Sequence, residues 1–218
     1  MSKVFVIGAA GKVGRRLSRQ LSERGHEVAC LHRRPEQADE LKELGATPVG
    51  GSLLDLDASG LASLMSGNDI VVFSAGAGGA GIELTNAIDG RGLELAAEAA
   101  SIAGIRRFIL VSVFPDALRE QETSAGFENY IAVKKRADVH LVESGLDWVI
   151  VRPGTLLEDP GTGKVRADVA VPYGEVPRDD VAATIVQLIE QTAVNRIIIE
   201  LTSGEVPVAE AVRRLAHA

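Results

Sequence analysis

The chain is poor in several things that other classes of protein need. It has one cysteine in 218 residues, only 4% aromatic residues, and 23 Lys and Arg against 30 Asp and Glu, for a formal charge of −7. A single cysteine forms no internal disulfide, and Cys30 sits in an apolar run, where a buried and inert thiol is the economical reading. The acidic balance and the lack of a long basic run argue against nonspecific nucleic-acid binding, and so few aromatics leave no base-stacking platform. No stretch reaches the ~18 apolar residues of a membrane span, and the first apolar run breaks at Gly8, too early for a signal-peptide core. The four histidines (His26, His32, His140 and His217) are scattered without a second ligand at short spacing, so no metal site is expected. These absences predict a cytoplasmic protein without a membrane or nucleic-acid partner.

What is present is regular alternation. Hydrophobic residues make up 46% of the chain, and short apolar runs such as Ile70-Val71-Val72-Phe73 and Phe108-Ile109-Leu110-Val111 recur between longer helical patterns. The runs predict strands near 3–7, 27–32, 47–50, 69–74, 107–112, 147–151 and 196–201. Helices are expected near 12–24, 35–44, 58–65, 83–104, 129–144, 179–191 and 207–217. Strands without polar alternation are covered on both faces, so the expected class is α/β: a three-layer, doubly wound parallel sheet of about seven strands. No linker or repeat divides it, which predicts one domain over 1–218. The stretches 113–128 and 152–178 read as irregular and, with the C-terminal part, would form a small substrate region. Within them, Glu158 to Arg166 reads as a mobile hairpin that would act as a lid. The helices at 83–104 and 129–144 have apolar stripes that fit either their own sheet or a second subunit, so monomer and homodimer both stay open.

The first strand runs directly into Gly8-Ala9-Ala10-Gly11-Lys12-Val13-Gly14 and then into a helix. This is the pattern of a dinucleotide phosphate cradle. Gly8 allows the tight turn, Gly11 the close approach of backbone to pyrophosphate, and Gly14 close packing of helix on sheet, while the helix start offers unpaired N–H groups. Ala10, Lys12 and Val13 complete the loop. Arg15-Arg16 after Gly14 replaces the Lys-Ser/Thr pair of an ATP-hydrolysing loop, and Ser112 lacks the Gly-x-Ser-x-Gly setting of an esterase. After the second strand stand Arg33 and Arg34, where an acidic residue would hold the ribose hydroxyls of NAD. An arginine there pairs with an adenosine 2′-phosphate, so NADP(H) is expected over NAD(H); the alternative is a pair of solvated loop charges. Ser52 and Leu53 would frame adenine, although Ser52 also suits an ordinary turn.

Further motifs follow in order: Ser74-Ala75-Gly76, Phe108-Ile109-Leu110-Val111-Ser112, Tyr130-x-x-x-Lys134, Arg152-Pro153-Gly154 and Asp180-Val181-Ala182. With the glycine loop they make nearly the whole chain resemble the short-chain dehydrogenase/reductase superfamily, specifically its atypical NAD(P)-binding members related to epimerases and to biliverdin/flavin reductase-like proteins. The resemblance implies a Rossmann fold with the cofactor at the strand C-termini. It implies that Ser74, Ala75 and Gly76 lie beside the nicotinamide ribose, that Pro153 borders the nicotinamide, and that Asp89 supports the active-site framework. Four residues apart on a helix, Tyr130 and Lys134 share a face, so the ammonium would lower the phenol pKa and orient the ribose. Catalysis would fall to Tyr130 as proton donor or acceptor, to Ser112 on the substrate oxygen and to Lys134. Arg152 would contact the ligand or pair with Asp180.

The chain also departs from that pattern. Val113-Phe114-Pro115 after Ser112 supplies no second hydroxyl to polarise a substrate. The expected activity is an NADP(H)-dependent oxidoreductase or epimerase acting on a small carbonyl, alcohol or conjugated acceptor. The alternative is a non-catalytic NADP(H) redox sensor acting through protein contacts.

Overall fold

In a strand, successive side chains point to opposite faces, so a run of consecutive apolar residues demands cover on both sides. The first strand shows this directly: Val4 and Val6 enter one core, Phe5 and Ile7 the other, and none is more than 1% exposed. The computed structural model describes residues 1–118 and 121–216. Its first half runs β1 (Lys3–Ile7), α1 (Lys12–Glu23), β2 (Glu27–His32), α2 (Gln37–Glu43), β3 (Thr47–Gly50), α3 (Ala58–Met65), β4 (Ile70–Phe73), α4 (Ile82–Thr85), a π-helical turn (Asn86–Arg91), α5 (Gly92–Ile102) and β5 (Arg107–Val111). The second half runs α6 (Ala125–Glu143), β6 (Asp147–Pro153), β7 (Thr155–Leu157), β8 (Lys164–Asp168), β9 (Glu175–Pro177), α7 (Arg178–Glu190), β10 (Ile197–Ser203), β11 (Val206–Pro207) and α8 (Val208–Leu215).

Among the described residues, nine strands form the main sheet in the order β11-β8-β10-β6-β5-β4-β1-β2-β3, and β7 pairs with β9 separately. From β10 to β3 every pairing is parallel. These parallel strands are the seven expected from the apolar runs. On one face Leu17 and Leu21 of α1, Val181, Ile185 and Leu188 of α7, and Val212 of α8 pack into a common core. On the other, Leu61 and Met65 of α3, Leu93 and Ala96 of α5, and Leu141 of α6 do the same. A fully buried side chain of this kind contributes about 1.5–3 kcal/mol. The result is the three-layer α/β architecture of a Rossmann fold.

Three elements differ from expectation. The stretch 152–178 is not irregular: Lys164–Asp168 pairs antiparallel with β10, Val206–Pro207 adds a further antiparallel edge, and Val165 is fully buried. The segment expected as a mobile hairpin therefore ends inside the sheet. The helix expected from 129 begins at Ala125, because the Ser124 hydroxyl accepts from the Phe127 N–H at 3.2 Å and caps it. The helix expected over 83–104 is divided by the π turn, which carries the buried Asp89 inward.

From β1 the chain steps through β2 and β3 to one side of the sheet, then returns to β4 and β5 on the other. That reversal parts the loops at the strand C-termini and opens a crevice there. Among the described residues, no helix is long and apolar enough to cross a membrane.

Candidate active site

The crevice at this switch point measures about 960 Å³. Its floor is backbone. Gly8 has φ +86°, and a side chain there would put its Cβ 2.4 Å from the Ala75 nitrogen, so only glycine lets the β1 and β4 loops meet. The loops are joined by Ser74 N–H and Ser74 Oγ, which donate to the Ile7 carbonyl at 2.9 and 3.2 Å. Gly11 donates to the Gly8 carbonyl at 2.9 Å and begins α1 without any side-chain cap. Backbone N–H groups at a helix start are otherwise unsatisfied and carry partial positive charge, which suits an anion.

Most of the expected cofactor residues line this crevice: Gly8, Ala10, Gly11, Lys12, Val13, Arg33, Ser52, Leu53, Ser74, Ala75, Gly76 and Lys134. Three do not. Gly14 lies behind the loop, where a Cβ would come 2.2 Å from the Gly8 carbonyl oxygen, so its part is packing. Arg34 turns to Glu36 at 3.3 Å. Pro153 lines an adjoining cavity of about 220 Å³ instead. Arg33 and Arg34 are separated by the turn itself, whose two N–H groups donate to Gln37 Oε1 at 3.2 and 3.0 Å.

Ser112, Tyr130 and Lys134 all line the crevice, and Ser112 and Tyr130 line the smaller cavity as well. Lys134 is buried, donates to the Val111 carbonyl at 2.9 Å and lies 3.9 Å from Asp89 Oδ1. Asp89 also accepts from the Ala77 N–H at 2.9 Å, so it ties the π turn to the loop after β4. Burial pushes the Asp89 carboxyl up and the Lys134 ammonium down, and each group's charge partly restores the other. The expected effect of Lys134 on Tyr130 is overturned. Burial, followed by the charges of Asp89 and Asp138, holds the phenol well above its usual range, so it stays protonated at neutral pH.

The sequence reading missed Asp138. It is buried and accepts from Ser112 Oγ at 2.6 Å, and its other oxygen faces Arg152 Nε at 3.0 Å and Nη2 at 2.9 Å. Burial raises its pKa, while Ser112 and Arg152 pull it back. The signal was available: Tyr130, Lys134 and Asp138 follow one another at intervals of four on α6 and so share a face. The pairing of Arg152 with Asp180 is likewise corrected. Asp180 instead accepts from Thr162 N–H and Gly163 N–H at 2.9 and 2.8 Å, fixing the loop before β8.

Glu158 follows β7 and meets three cations. Its carboxylate meets Lys12 at 2.6 Å, Arg178 at 3.0 Å and Arg16 at 3.3 Å, joining the segment after β7 to the glycine loop. These cations hold its carboxyl below the usual range. Cys30 is buried against Ser18 at 3.2 Å, and burial pushes its thiol up to about 11.

A parallel sheet with a glycine-lined crevice at its switch point and an uncapped helix start define the class of NAD(P)-binding Rossmann proteins. The chain belongs to the NAD(P)H-binding family, whose model matches residues 8–192. It is 38% identical over 217 residues to a protein of Bacillus subtilis (strain 168) described as the uncharacterized sugar epimerase YhfK, covering 98% of this chain and 100% of that one. A solved putative NAD-dependent epimerase/dehydratase from Bacillus halodurans superposes with a TM-score of 0.90 at 33% identity, covering 98% of this chain and 100% of that one. ChuY, an anaerobillin reductase from Escherichia coli O157:H7, superposes with a TM-score of 0.80 at 26% identity, covering 94% and 98%.

Proposed function

We propose that the protein is an NADP(H)-dependent oxidoreductase or epimerase that exchanges hydride with a small carbonyl, alcohol or conjugated acceptor. One observation carries the reading: a single crevice is lined at one end by Arg33 and at the other by Ser112, Tyr130 and Lys134, with the glycine loop between them. Its volume suits a large ligand, at the upper end of the range of about 300–1,000 Å³ found for such sites. When bound, the cofactor supplies or takes up hydride at nicotinamide C4.

The chain's own residues do the rest. Gly8 to Val13 and the start of α1 hold the pyrophosphate, Arg33 the 2′-phosphate, and Ser52 with Leu53 the adenine. Ser74 to Gly76 take the nicotinamide ribose. An ammonium has three donors, so Lys134 keeps capacity for the ribose beyond its bond to Val111. Tyr130 lines both the crevice and the adjoining cavity and is the proton donor to the acceptor in this reading. The substrate region is formed by 113–128 and 152–178 with the C-terminal part, in one domain with the rest. A small cluster of Phe114, Ala117 and Ile131 packed by Phe127 and Tyr130 supports this assignment.

The test is a fluorescence titration of NADPH and NADH against the protein and Arg33→Ala. NADPH should bind at least about tenfold more tightly than NADH, and the substitution should remove that preference while leaving NADH unchanged. Equal NADPH binding by the variant sinks the 2′-phosphate assignment. Binding of neither cofactor by the unaltered protein sinks the whole reading.

A further inference from the structure

A serine hydroxyl has one proton and two lone pairs. In Ser112 the proton is spent, since Oγ donates to Asp138 Oδ1 at 2.6 Å, while Arg152 occupies the other carboxylate oxygen at 2.9 and 3.0 Å. A carboxylate paired with a guanidinium accepts and does not donate, so Ser112 presents only lone pairs to whatever lies in front of it. In front of it is the cavity of about 220 Å³, smaller than a drug-sized site and walled by Val113, Ala117, Leu118, Phe127 and Leu156. Other polar groups of this wall are engaged with one another: Thr155 and Tyr173 share a hydrogen bond of 2.7 Å, and Arg178 donates to the Leu156 carbonyl at 2.9 Å.

We propose that this cavity is a subsite for a hydroxyl group carried on one compact apolar ring, with Ser112 as acceptor and Asp138 as the positioning residue that fixes that polarity. Tyr130 donates to the ligand oxygen and Ser112 accepts its proton. A ketone or ether satisfies Tyr130 alone and leaves Ser112 facing no donor, which costs affinity. The substrate of the proposed oxidoreductase is therefore held best in its hydroxyl form. This inference rests on the assignment of the crevice to the cofactor only for its use in turnover; the polarity of the subsite belongs to the chain alone.

Phenol and methoxybenzene have the same ring and differ in the one proton at issue. Their affinities are to be measured by ligand-observed NMR on the free protein and on the protein with NADP+. Phenol should bind about five- to tenfold more tightly in both. Ser112→Ala should bring the ratio near one by weakening phenol alone. In Asp138→Asn, Arg152 keeps the amide oxygen, the amide N–H₂ turns to Ser112, and the released hydroxyl proton moves the preference toward methoxybenzene. If that variant does not fold, Ser112→Ala decides. Phenol that fails to bind, binds no tighter than methoxybenzene, or keeps its advantage in Ser112→Ala overturns the inference. Because the free protein is titrated as well, a failure to bind NADP+ leaves the ratio readable and counts against the cofactor assignment only.

Discussion

The two ends of the crevice are built from different materials. At the glycine-loop end the surface is backbone, set by Gly8 against Ala75 and by the bonds from Ser74 to Ile7. At the other end it is side chain, buried Ser112 and Asp138 with half-buried Arg152, beside Lys134 and Asp89. Backbone floors accept one shape and tolerate exchange of neighbouring side chains. Charged side-chain networks depend on each member, because removing one leaves another buried without its partner. A binding end and a reacting end should therefore fail separately.

The sharpest separation comes from Tyr130→Phe. Turnover of an accepted carbonyl should fall at least about a hundredfold, while NADPH affinity stays within about twofold; steady-state rates and fluorescence titration read the two. The reverse break is Gly8→Ala. Its Cβ meets Ala75 in a left-handed conformation, so stability should drop by about 2–4 kcal/mol, or roughly 5–10 °C in Tm by calorimetry, with loss of cofactor binding.

Cys30 reports on the same end from beneath, since Ser18 contacts both it and the Gly14 carbonyl. Buried from solvent and with its thiol pushed up to about 11, Cys30 should be alkylated far more slowly in the folded protein than in the unfolded chain. Gly8→Ala should narrow that gap, whereas Tyr130→Phe should not.

Glu158 links the ends and gives the smallest effect. Its carboxyl is depressed in the folded state, so its contribution is present above the ordinary value of 4.5 and is lost as pH falls through the folded value. Melting curves of the protein and of Glu158→Gln should therefore differ slightly at neutral pH, less at high salt, and converge in acid.

The same contrast explains what could be read from the residues. The backbone end is written locally: a strand, three glycines and a helix start lie within Lys3 to Glu23, and strands such as β1, β4 and β5 carry uninterrupted apolar runs. The side-chain end is assembled from afar. Arg152 reaches Asp138 across 14 positions, and Ser112 reaches it across 26. Periodicity places Tyr130 and Lys134 on one face of a helix, but only packing shows that burial and the charges of Asp89 and Asp138 push the phenol's pKa up. Lys164–Asp168 was equally obscure, because a five-residue strand near the sheet edge takes its identity from pairing with residues 200–203. Arg33 and Arg34 are alike as residue types, and the turn around Gln37 is what sends one to the crevice and the other to Glu36.

The π turn at Asn86–Arg91 has a consequence for how this chain tolerates change in length. A wide turn holds one residue more than the α-helix it interrupts. Deleting a single residue there would restore regular winding and leave α4 and α5 in place, because six residues of a π turn cover about the rotation of five in an α-helix. Leu93 and Ala96 of α5 would stay anchored in the core, so the change would be confined to the residues of the turn itself. Asp89 would be swung away from Lys134 and Ala77 while the sheet and its helices stayed whole. The site is thus set by a register, and one missing residue would erase it without unfolding the protein.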